Sequence, residues 1–122
     1  MDLRVKRVYE APSPEDGLRV LVDRLWPRGL SKEKARVDLW IRTAAPSDEL
    51  RRWYGHDHDK WPEFRRRYFA ELEAAPEALE PLVELDAPLV TLLFGSREPD
   101  LNNARALREY LEERPRARRR HA

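Results

Sequence analysis

Apolar and polar positions alternate imperfectly over residues 3–9, LRVKRVY, where Leu3, Val5 and Val8 punctuate a run of Arg and Lys. A period near two predicts a strand with one wet face. The APSPEDG stretch that follows is rich in Pro, Asp and Gly and predicts a turn. Residues 18–22, LRVLV, resume as a strand that stops at Asp23, so the two strands are expected to form a hairpin or a neighbouring pair. Leu89–Phe94, LVTLLF, is almost wholly apolar between Pro88 and Gly95, the pattern of a strand covered on both faces.

Between these strands the apolar period lengthens to that of a helix. Ser31 is placed to cap a short helix over residues 32–36, and Ser47, followed by Asp48 and Glu49, to cap a second with acids in its first turn. Leu50, Trp53 and Tyr54 share one face of that second helix, and Gly55 can end it in the left-handed conformation. Asp59 is placed to cap a third, with Pro62 still in its first turn, and Trp61, Phe64, Tyr68 and Leu72 form its inward stripe. Residues 76–85 predict another helix, kinked or started late by Pro81. Leu101, Ala104, Leu107 and Leu111 form the stripe of a last helix ended by Pro115.

Strands near both ends with helices between them predict an α/β domain over residues 1–113. A small, at least partly parallel sheet flanked by helices in a three-layer sandwich is expected. If the strands ending at Val22 and Phe94 are parallel neighbours, their carboxyl ends open on one edge, where such sheets usually place ligands.

Composition changes this picture in three ways. The chain has 122 residues and no cysteine, which excludes a thiol nucleophile, a disulfide framework and a thiolate zinc site. The start, MDLRV, is charged where a signal peptide would be apolar, and no apolar run is long enough to span a bilayer, so a cytoplasmic protein without membrane contact is expected. The formal charge of +1 is produced by the last nine positions, RPRARRRHA, which hold five arginines and no acid. Residues 1–113 are left with 19 bases against 23 acids, a formal −4. That tail is expected to be disordered, and it could bind nucleic acid through phosphate contacts.

The chemistry-bearing residues concentrate after the two central strands. One loop offers Asp23, Arg24, Trp26, Arg28 and, further on, Lys32; the other, GSREPDLNN, offers Gly95, Ser96, Arg97, Asn102 and Asn103 before a helix. Arginines hold carboxylate or phosphate through charge-assisted, bidentate hydrogen bonds, so the two loops together would form an anion pocket. The bland alternative pairs Asp23 with an arginine, buries Trp26 in the core and makes Pro27-Arg28-Gly29 a tight turn. The GHDHDKW segment, residues 55–61, has metal-ligating atoms, but alternate residues in a loop seldom converge, so no metal site is expected. Ser96 and Asp23 are the catalytic candidates, although FGSRE is not a nucleophile elbow and has no histidine close by. Neither a P-loop nor a GxGxxG is present, and no cofactor is expected.

The run RVLVDRLWPRGLSKEK resembles the YeaO-like family, a domain of unknown function designated DUF488. The likeness continues through Leu39-Trp40, APSDELRRWY, FRRRYFAEL and TLLFGSREPDLNNARAL, and thus covers nearly the whole chain except the tail. It implies a small cytoplasmic α/β domain with no firmly established activity. Its signature positions fall on Asp23, Arg24, Trp26, Pro27, Arg28, Gly29, Ser47, Arg51 and Asn102. Members often carry Asn-His-Ala where this chain has Asn102-Asn103-Ala104, so no role of that histidine carries over.

Two functions follow as expectations. In the first, an arginine-lined cleft binds a small anionic ligand through Arg24, Trp26, Arg28, Arg51, Arg97 and Asn102, with Asp23 orienting an arginine or acting as a base. In the second, the basic tail makes the chain an RNA- or protein-interaction module and the Arg-Trp-Pro-Arg loop is structural.

Overall fold

A computed structural model describes residues 1–113 of the chain. The basic tail, residues 114–122, and its expected disorder and nucleic-acid contacts lie outside the described residues.

Four strands, β1 (Asp2–Arg7), β2 (Leu18–Leu21), β3 (Leu39–Trp40) and β4 (Leu89–Phe94), form one sheet in the order β1-β4-β2-β3. Every pairing is parallel. The expected parallel sheet is therefore observed, and β3 is an addition too short to leave a period in the sequence. Neither the hairpin nor the neighbouring pair expected of the first two strands forms, because β4 lies between them.

Alternation along the central strands sorts the core into two unequal layers. Val20, Val22, Val90, Leu92 and Phe94 face the larger apolar cluster, which also holds Leu50, Tyr54, Phe64, Tyr68, Leu72, Leu107 and Leu111. Those side chains come from α2 (Asp48–Tyr54), α3 (Trp61–Ala74) and α5 (Asn103–Glu113). Leu21 and Leu93 face the opposite way, into a smaller cluster with Val8 and Ala35, covered by Trp26, Leu30, Val37 and Trp40. Among the described residues, the α-helix in that thin layer is the four-residue α1 (Lys32–Ala35).

The thin face is also where the chain buries charge. Residues 8–17 carry β1 to β2 across β4, and Asp16 and Arg19, 6% and 4% exposed, are locked there at 2.6 Å. Arg19 donates further to the carbonyls of Ala35 and Arg36, Lys6 reaches Asp16 at 3.1 Å, and the Thr91 hydroxyl donates to the Asp16 carbonyl. Asp16 and Arg19, the buried charged residues among those described, therefore both have partners, as burial requires.

The helix ends follow local chemistry with two adjustments. Ser31 and Ser47 cap α1 and α2 through their hydroxyls, and Gly55 ends α2 in the left-handed region. Asp59 does not cap α3. Asp57 accepts from the Asp59 N–H to open a short turn, and α3 begins at Trp61 without a side-chain cap. The helix expected over residues 76–85 is a 3-10 turn, Pro76–Leu79, followed by α4 (Glu80–Val83), so Pro81 sits near a start where its missing N–H costs nothing.

Candidate functional site

The register Leu21↔Leu93 between β2 and β4, continued by two residues, brings Asp23 level with Gly95. Asp23 Oδ2 accepts from the Gly95 N–H at 2.8 Å, and Oδ1 accepts from the Asn103 amide at 3.0 Å. Asn103 also donates to the Val22 carbonyl, which ties the start of α5 to the end of β2. A Cβ on Gly95 would stand 3.2 Å from Asp23 Oδ2, so a side chain there would crowd the clamp. Burial pushes the Asp23 carboxyl above its ordinary value, against the pull of the Gly95 N–H, the Asn103 amide and the Arg51 charge. Asp23 thus pairs with no arginine among the described residues, contrary to expectation. Its two oxygens are engaged in joining the two loops.

Beside this clamp, at the carboxyl edge of the sheet, lies a cleft of about 440 Å³. The loop after β2 supplies Arg24, Leu25, Trp26 and Arg28; α2 supplies Arg51 and Arg52; the loop after β4 supplies Gly95 and Ser96. Four arginines therefore line one opening, with Asp23 as the carboxylate of its lining and the half-exposed Asp48 beside Arg24 and Arg51.

Those four groups differ in how far the protein itself satisfies them. Arg24 Nη2 donates to the Pro46 carbonyl at 3.3 Å. Its Nε lies 3.4 Å from Asp48 Oδ1 but is buried and makes no hydrogen bond. Arg51 shares that Asp48 oxygen, also at 3.4 Å. Exposed pairs of this length contribute little. Arg28 and Arg52 are exposed, and their guanidinium groups have no partner among the described residues. The backbone carbonyl of Arg28 accepts from the Tyr9 hydroxyl at 2.7 Å, which fixes the loop and leaves the charged end free.

The remaining candidates divide. Trp26 lines the cleft, yet its indole N–H donates to the Leu30 carbonyl and its ring meets Trp40 edge-on at 5.5 Å, so it chiefly supports the loop from behind. Asn102 is buried as the cap of α5: its Oδ1 accepts from the Arg105 N–H and its amide donates to the Glu98 carbonyl. Ser96 accepts from the Glu98 N–H, and no base is hydrogen-bonded to its hydroxyl among the described residues. Arg97 is the central residue of that turn; it is exposed and does not line the cleft. The second loop therefore lines the cleft with Gly95, Ser96, Leu101, Asn102 and Asn103 but not with Arg97, and the expected fourth arginine comes from Arg52 on α2.

Sequence patterns did not single out Tyr9 or Arg52 and weighed His56 only as a metal ligand; all three line the cleft. His56 follows Gly55 with φ of 60°, a left-handed backbone uncommon outside glycine, and its ring lies 6.2 Å from that of Tyr54. The neighbouring His58 does not reach the cleft; its Nε2 meets Glu98 Oε2 at 2.7 Å. Glu98 also accepts from the Asp100 and Leu101 N–H groups, which together with His58 hold its carboxyl below the ordinary value. Among the described residues no group of three or more His, Cys, Asp or Glu is placed to hold a metal, and no helix is long and apolar enough to cross a membrane.

Fold and cleft define a small, all-parallel α/β protein with a cation-lined opening at the carboxyl edge of its sheet. The chain belongs to the YeaO-like DUF488 proteins, through a family described as the inactive DUF488-N3 subclade, whose model matches residues 2–122. An uncharacterised protein of Mycobacterium tuberculosis strain H37Rv is 40% identical over 112 residues, which cover 92% of this chain and 95% of that one. The uncharacterised protein YeaO of Escherichia coli strain K12 is 36% identical over 113 residues, 91% of this chain and 97% of its own. No solved structure matches the chain significantly.

Proposed function

We propose that the protein binds a small anionic ligand, bearing phosphate or carboxylate, in the arginine-lined cleft, and that it does so without chemistry on the ligand. The observation that carries this is the convergence of Arg24, Arg28, Arg51 and Arg52 on one opening, with two of the four guanidinium groups unpartnered. A cluster of cations held this close repels itself, and an anion with several acceptor oxygens relieves that cost through charge-assisted hydrogen bonds. Binding without turnover is supported by two facts. Asp23 spends both oxygens on the loop clamp, and Ser96 has no base at hydrogen-bond distance among the described residues. The description of the family as an inactive subclade agrees with it.

The test is a titration of 15N-labelled protein with inorganic phosphate and with sulfate, followed by amide chemical-shift changes. Shifts grouped at residues 23–28, 51–56 and 95–96, weakened about tenfold or more by Arg28→Ala, are expected. Shifts scattered over the surface, or insensitive to Arg28→Ala and Arg52→Ala alike, would sink the proposal.

A further inference from the structure

Arginines explain only part of the cleft. Four large apolar side chains are exposed among the described residues, Met1, Tyr9, Leu25 and Leu39, and two of them line this one opening. Leu25 is 63% exposed and Tyr9 38%. Single exposed leucines are ordinary, but two large apolar groups beside four guanidinium groups are a combined surface. Pro46 extends this wall, and Tyr54 and Phe64, stacked at 4.4 Å, form its buried side. A bare inorganic ion would satisfy the arginines and leave the wall in water. The volume, about 440 Å³, is several times what such an ion needs and falls in the range of clefts that hold small organic molecules.

We infer that the cleft takes an organic anion, a phosphate or carboxylate head carried on an apolar, ring-sized body, with the head on the arginines and the body against Leu25 and Tyr9. The inference rests on the anion-binding proposal and narrows its ligand class. Head and body are recognised by different physics: ion pairing weakens with salt, and apolar burial does not.

The experiment compares two pairs of probes on the full-length protein by isothermal titration or amide shifts: inorganic phosphate with phenyl phosphate, and acetate with benzoate, with phenol as the uncharged body. In whichever pair carries the preferred head, the ring-bearing member is expected to bind about tenfold tighter or more, the scale set by burying one large apolar group. Leu25→Ser, at a position exposed enough to leave the fold intact, is expected to erode that advantage while inorganic phosphate binding persists. Equal affinity within both pairs would overturn the inference and leave simple anion binding standing. An advantage untouched by Leu25→Ser would overturn the assignment to this wall. Phenol binding as tightly as phenyl phosphate, or no probe binding at all, would overturn both the inference and the proposal beneath it.

Discussion

Arg28 and Asp16 sit at opposite extremes of the same electrostatics. Arg28 is exposed and unpartnered at the cleft, so Arg28→Ala should leave the melting temperature within about 1 °C, because surface substitutions away from structural contacts change stability little. Any anion affinity it removes is then a binding effect, checked by pairing the melt with the titration. Asp16 is buried against Arg19 and Lys6. Burial alone would push its carboxyl up, but the Ser13 N–H, Lys6 and Arg19 outweigh that and hold it below its ordinary value. A depressed carboxyl contributes stability above its unfolded value of 3.8 that is lost as pH falls through the folded value. Asp16→Asn leaves Arg19 buried without its counter-charge and should cost about 3 kcal/mol in urea unfolding at neutral pH. The gap between Asp16→Asn and the native chain should narrow as pH falls below 3.8. At this scale the sequence pointed to Arg24, Arg28 and Arg51. It did not distinguish Arg52 from Arg97, since two exposed arginines look alike until packing turns one of them toward a cleft.

Elements show what local chemistry can and cannot decide. Ser47 caps α2 through the Leu50 N–H and also donates to Glu71 of α3 at 2.6 Å, so one hydroxyl both starts a helix and couples it to the next. Ser47→Ala should cost about 1–2 kcal/mol, more than an isolated cap, and Glu71→Gln should recover only the coupling part in a double-mutant cycle. Gly17, with φ of 64°, turns the chain into β2 against Leu89, and a Cβ there would be driven into the Leu89 carbonyl. Gly17→Ala should therefore lower the melting temperature by roughly 10 °C or more, a far larger effect than Gly29→Ala, where an added Cβ meets nothing within 4 Å and only the φ of 76° is strained. The serine caps were legible because capping needs only the next three residues. The start of α3 was not, since Asp57 and Asp59 are equivalent by type and only the backbone path selects between them.

At the scale of the molecule, the body carries a formal −4 while its cleft is cationic, so the cleft works against the field around it. Screening of that outer field by salt should affect anion binding less than it would on a uniformly basic surface. Truncation after Glu113 removes five arginines and leaves every described residue of the cleft in place. The truncated chain should keep its melting temperature and its affinity for phenyl phosphate within about twofold, measured side by side with the full-length protein. Loss of binding on truncation would move the site to the tail.

Apolar spacing by itself determined the types of the longer elements, the α/β class and the arginine-bearing loop after β2, because burial periodicity and capping are local physics written in neighbouring residues. Tertiary structure alone decided that β4 enters between β1 and β2, and this one placement makes Asp23 meet Gly95 and Asn103. It also decided that α2 presents Arg51 and Arg52 beside Arg24 and Arg28, because which groups share a cleft depends on strand order and helix docking between residues far apart in the chain.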